Sequence, residues 1–148
     1  ALYPGRFETS VVPTRSFADT QLYAPGCAPT NEEIRDRLDA YWQPYHDRLA
    51  DELEARKDEF GYALLFDAHS IRSHVPALHP EPLPALMLGD VDGTSAAPEI
   101  SRAVLAVHQA SSYSAQANRP FRGGYITRRF GRPSASIHAL QLEMSQRI

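Results

Sequence analysis

Two side chains far apart in the sequence have the chemistry to work together, His69 and Glu143. His69 lies in Asp67-Ala68-His69-Ser70, directly after the short apolar run Tyr62–Phe66. An imidazole at such a point can bind a metal through one nitrogen while the other donates to a carbonyl or carboxylate, which fixes its tautomer. Zinc takes such ligands, commonly three from the protein with water in the fourth place, and a single His is therefore not a complete site. The alternative is a His that only hydrogen-bonds a loop. Glu143 ends an otherwise apolar run, where a carboxyl is costly unless it is solvated at the rim or employed. Employed, it would take a proton from an attacking water and pass it to a leaving nitrogen. Arg72, Arg119, Arg122, Arg128 and Arg129 add planar guanidinium groups that match carboxylates. Any one of them can equally be a surface charge; Arg128, within a Gly-flanked run, is the preferred substrate contact.

The elements around these residues follow from patterning. Residues 1–29 carry Pro4, Pro13, Pro25 and Pro29 with Gly5 and Gly26, and read as an extended loop region. Thr30 with Glu33 forms a capping box, in which the hydroxyl takes an orphan backbone N–H and the carboxylate reaches back. Ile34, Leu38, Tyr41, Trp42, Tyr45, Leu49 and Leu53 then recur at helical spacing. Pro44 predicts a kink or a junction of two helices, and Gly61 ends the run. Tyr62–Phe66 reads as a strand buried on both faces. Asp67–Pro84, rich in His, Arg and Pro, reads as a long loop leaving the carboxyl end of that strand, where open α/β sheets place ligands. Leu83–Leu88 is a second apolar run, Gly89–Gly93 a tight turn, and Ala97–Ala110 a helix with Pro98 in its first turn. Gly123–Gly131 reads as a strand. Ser136–Met144 has a period of two, with Ile137, Ala139 and Gln141 on one side and His138, Leu140, Leu142 and Met144 on the other.

Other motifs fail on inspection. Gly89–Gly93 lacks the further oxygen ligands of a calcium loop, and Gly123-Gly124 is not a phosphate loop. Ser70 has no GxSxG frame around it. His74, His79 and His108 show no metalloprotease spacing and read as loop, loop and helix surface. Cys27 reads as a packed thiol.

With 148 residues, 43% apolar and 22% charged, the composition is that of one globular domain. The net charge of −3 provides no positive field for nucleic acid or an anionic membrane. A lone cysteine excludes an intrachain disulfide and a multi-cysteine zinc site, and fits a cytoplasmic setting. No run has the length a spanning helix needs, and the first residues do not form a signal peptide. The expected partner is a small molecule.

The strings Leu65–Ser73, Phe121–Arg128 and His138–Met144, with Leu2–Gly5 and Tyr41–His46 in the same order, resemble the N-formylglutamate amidohydrolase family over nearly the whole chain. That resemblance implies a zinc-dependent hydrolase that cleaves N-formyl-L-glutamate to formate and glutamate in histidine degradation. It implies a mixed central sheet flanked by helices, of the zinc-carboxypeptidase-like, phosphorylase/hydrolase type. By the same resemblance His69 corresponds to a zinc ligand and Glu143 to the strand-borne general base. Arg128, Ser70 and Arg72 correspond to substrate-binding positions. The Ile-Pro-His segment and the acidic motif that supply the family's other metal ligands have no counterpart here, nor does the C-terminal helical region. The sequence therefore reads as the middle and later part of a longer enzyme, incomplete at both ends. A rival expectation is an inert α/β domain acting as a binding or interaction module; a narrower one is a relative acting on a different N-acyl amino acid.

Overall fold

A computed structural model describes residues 11–16, 19–76 and 78–147. The Leu2–Gly5 segment lies outside the described residues. The described chain runs α1 (Asn31–Arg37), a π-helical turn (Leu38–Trp42), α2 (Gln43–Phe60), β1 (Ala63–Ile71), β2 (Leu86–Gly89), α3 (Pro98–Gln109), β3 (Ala115–Ala117), α4 (Tyr125–Phe130), a 3-10 turn (Pro133–Ala135) and β4 (Ile137–Ser145). The four strands form one mixed sheet in the order β1-β4-β2-β3. β1 and β4 are parallel, β2 runs antiparallel to β4, and β3 is parallel to β2.

Local chemistry accounts for the helical ends. Thr30 Oγ1 accepts from the Glu33 N–H at 3.2 Å. The return half of the capping box is replaced by an Arg37–Glu33 ion pair at 2.5 Å. Pro44 has no N–H for the helical ladder, and the turn before it widens so that Gln43 N–H donates to Leu38 O, five residues back. The expected kink is thus a π-helical turn. Gly61 ends α2 in the left-handed region at φ 82°, where glycine carries no Cβ penalty.

Alternation along the strands gives the sheet two different faces. One carries Leu88 and Leu140, which pack with Ala96 against Ile100, Val104 and Leu105 of α3. The other begins with Ala63 and Ile137, covered by Leu49, Ala50 and Leu53 of α2 and by Ile126 and Phe130 of α4. Beyond that cover, the second face opens toward the carboxyl ends of β1 and β4.

Four expectations change. The strand after Gly61 is longer, running to Ile71, and so takes in residues read as loop. It is also an edge strand among the described residues, with Leu64 and Phe66 42% and 43% exposed rather than buried on both faces. Residues 125–130 are helical, not a strand, because Gly124 caps a short turn that buries Thr127 and Phe130. Cys27 is exposed. No helix among the described residues is long and apolar enough to cross a membrane.

The turn after β2 is fixed by a buried carboxylate. Asp90 Oδ1 accepts from Asn118 Nδ2 at 2.7 Å and from Gly93 N–H at 2.8 Å. Asn118 Oδ1 in turn accepts from Asp90 N–H at 3.1 Å. Burial by itself would raise the Asp90 pKa, but these hydrogen bonds win and hold it below the ordinary carboxyl value. The stabilisation is therefore present above the unfolded-state pKa and is lost as pH falls through the folded one. Asp90→Asn keeps the shape and removes the charge. Its melting temperature should drop at neutral pH and fall less steeply than the parent's below about pH 4, because the Asp90 share of the acid dependence is gone, as followed by circular dichroism.

Candidate active site

The register of β1 against β4 puts His69 directly opposite Glu143 and Asp67 opposite Gln141. Paired residues on adjacent strands share a face, so these four polar side chains project together from the second face beyond the α2 and α4 cover. Both strands end there in the carboxyl direction, the position at which α/β sheets bind ligands. His69 Nε2 meets Asp67 Oδ2 at 2.9 Å. Donation from Nε2 to this carboxylate would leave the Nδ1 lone pair for a metal, one of the two tautomers in which an imidazole can ligate. His69 remains 45% exposed, open to a ligand, whereas Asp67 is 19% exposed.

Glu143 is buried, at 7% exposure. Its neighbour across β2 is Met87, itself fully buried and packed with Val75 and Leu83, so that an apolar wall closes one side of the carboxyl. That desolvation raises the Glu143 pKa, and the nearby Asp67 charge adds to it. His69 and a hydrogen bond from Gln141 act in the opposite direction without overcoming burial. A carboxyl pushed upward in this way is a better proton acceptor than one in water.

Gln141 occupies the centre of the group. Its Oε1 accepts from Gly124 N–H at 2.5 Å and its Nε2 donates to Glu143 Oε2 at 3.5 Å. Gly124 caps α4, the helix that carries Arg128, and Arg128 Nη1 donates to Gly123 O at 2.6 Å. The Arg122-Gly123 backbone can lie on the sheet because Gly89 is beneath it: a Cβ at Gly89 would fall 2.7 Å from Gly123 N and 2.8 Å from Arg122 C.

Of the residues singled out from the sequence, the fold brings His69 and Glu143 together on one face. Arg128 approaches through the 123–124 turn and is half-buried, whereas Arg72, Arg119, Arg122 and Arg129 are exposed. Arg122 pairs with Asp92 at 3.1 Å and Arg129 lies over the Phe130 ring. Ser70 falls on the opposite face of β1 from His69, and its Oγ accepts from Gln146 Nε2 at 3.3 Å. Arg72 follows the last residue of β1. His74 and His79 bond loop carbonyls, and His108 is half-buried on α3. Asp67 and Gln141 received no role from sequence. The signal that would have found them is their i, i+2 spacing from His69 and Glu143 on strands, which puts each pair on one face.

The result is a mixed α/β domain whose parallel strand ends gather an imidazole, two carboxyl groups and a carboxamide, a candidate acid–base site. The sequence profile of the N-formylglutamate amidohydrolase family matches residues 1–148. The chain is 43% identical over 146 residues to N-formylglutamate deformylase from Pseudomonas putida, covering 98% of this chain and 54% of that protein. It is 46% identical over 139 residues to N-formylglutamate deformylase from Pseudomonas aeruginosa, covering 93% and 52%. The crystal structure of N-formylglutamate amidohydrolase from Ralstonia eutropha JMP134 superposes with a TM-score of 0.76 at 28% identity, over 87% of this chain and 47% of that one. This chain belongs to the N-formylglutamate amidohydrolase family. It spans about half the length of the curated relatives it matches.

Proposed function

We propose that the protein hydrolyses the amide bond of N-formyl-L-glutamate, giving formate and L-glutamate, as its deformylase relatives are named for doing. The observation that carries this reading is the cross-strand pairing of His69 with a buried Glu143. Glu143 takes a proton from the water that attacks the formyl carbon. As the C–N bond breaks, the same carboxyl returns the proton to the departing nitrogen. The Met87 wall excludes bulk water from this transfer. Arg128, on α4, holds a carboxylate of the glutamate portion with its planar fork.

The donor set fits zinc in part. The His69–Asp67 contact supports this, since a carboxylate on Nε2 would orient the ring and leave Nδ1 for the metal. No group of three or more His, Cys, Asp or Glu among the described residues could hold a metal ion, so His69 would be one ligand of a set completed elsewhere in the protein. When bound, zinc would supply Lewis-acid polarisation and a more acidic water. The reading extends to a zinc-carboxypeptidase-like fold and to a cytoplasmic place in histidine degradation, which the family resemblance supports. Dialysis of the full-length protein against a chelator should abolish turnover of N-formyl-L-glutamate, and stoichiometric zinc should restore it. Cleavage that ignores the chelator would sink the zinc mechanism, and no cleavage by the zinc-loaded protein would sink the hydrolase reading.

A further inference from the structure

From the geometry around its carboxamide, we infer that Gln141 is a positioning residue. It ties the carboxyl of Glu143 to the turn that carries Arg128, so that the proton-transfer group and the substrate-carboxylate contact keep a fixed separation. This deepens the reading above and rests on it.

Three observations carry the inference. The carboxamide is 5% exposed and uses both of its ends: Oε1 on Gly124 N–H at 2.5 Å and Nε2 on Glu143 Oε2 at 3.5 Å. An amide accepts from the first through its oxygen and donates to the second through its nitrogen, whatever the pH. The turn it holds leads directly into α4, and that turn is further fastened by Arg128 Nη1 on Gly123 O. Finally, the contact is built close. A Cβ on Gly124 would sit 3.0 Å from Gln141 Oε1, and the loss of side chains at Gly89, Gly123 and Gly124 lets the backbone settle over the sheet. A Gln serving only to fill space would require none of this.

Two nearly isosteric variants separate the two ends of the amide. Gln141→Met removes both hydrogen bonds, whereas Gln141→Glu, assayed at a pH where that carboxyl is ionised, keeps an acceptor for Gly124 N–H and has no donor for Glu143. In the full-length, zinc-loaded protein, kcat for N-formyl-L-glutamate should fall about 10- to 100-fold in both variants. KM should rise only in Gln141→Met, where the Arg128 turn is released. Parental kcat and KM in both variants would overturn the inference. So would equal changes in kcat and KM accompanied by equal losses in melting temperature, since that is the pattern of a purely structural role. Amide hydrogen exchange at Gly124 supplies a readout that is independent of activity. It should be slow in the parent and in Gln141→Glu and fast in Gln141→Met; identical exchange in all three would overturn the inference. Were the parent to leave N-formyl-L-glutamate intact, the proposed function would fail and the exchange result alone would decide the role of Gln141.

Discussion

Glu143→Gln in the full-length protein should lower kcat for N-formyl-L-glutamate by about 10²- to 10⁴-fold, the usual contribution of a positioned proton-transfer group. KM should change little, because the carboxamide is the same size and the substrate contact assigned to Arg128 is untouched. The argument rests on location. Glu143 is paired with His69 across parallel strands, buried against Met87, and shifted by desolvation toward holding a proton. A buried carboxyl with no employment would be an expense that a carboxamide relieves, so the variant should melt no lower than the parent. Steady-state kinetics and a thermal melt on the same preparation test both halves. Retained turnover would show that another group moves the proton.

Gly89→Ala should be among the most damaging single methyl additions in the described part of the molecule. Gly89 does not have a positive φ, so an alanine there incurs no backbone strain, and the whole effect comes from contact. That contact is with backbone: Gly123 N at 2.7 Å, Arg122 C at 2.8 Å and Arg122 O at 3.0 Å, none of which can rotate aside. The loop must lift, with the loss of its bonds to Val91 N–H and Gln141, at a cost of about 1–3 kcal/mol or more. Gly61→Ala is the matched control. It has open space around it and a φ of 82°, so its cost is conformational, about 1 kcal/mol. Chemical denaturation should rank Gly89→Ala as the more destabilised, and its KM should rise as Arg128 is displaced. A Gly89→Ala protein as stable as the Gly61→Ala control would contradict the close packing.

Much of this arrangement was legible beforehand. The period of two in Ser136–Met144 marked β4, the spacing from Ile34 to Leu53 marked the helices, and Thr30 and Gly61 marked their ends. Position singles out His69 and Glu143, the family resemblance adds the roles proposed for them, and the register sets the two opposite each other. What could not be read depended on register or on contacts distant in sequence. Alternation fixes which residues share a face within one strand, but nothing in it says that residue 69 will sit opposite residue 143 rather than 141. Residues 125–130 contain β-formers, yet tertiary burial of Thr127 and Phe130 overrides that preference and makes a helix. Gln141 looked like one more strand residue because its importance lies in a partner, Gly124 N–H, that no periodicity reveals. Ser70 adjoins His69 in sequence and is carried by the pleat to the other side.

β4 is the last of the described strands to be synthesised, yet it is inserted between β1 and β2. Its partners on β1 are more than seventy residues earlier, which makes this a sheet of high contact order whose central ladder closes late and slowly. A nascent chain paused before residue 137 would hold the imidazole and its Asp67 partner but neither the Glu143 carboxyl nor the Gln141 carboxamide. Until that moment β1 and β2 share no strand neighbour among the described residues, and their apolar faces lack the strand that unites them.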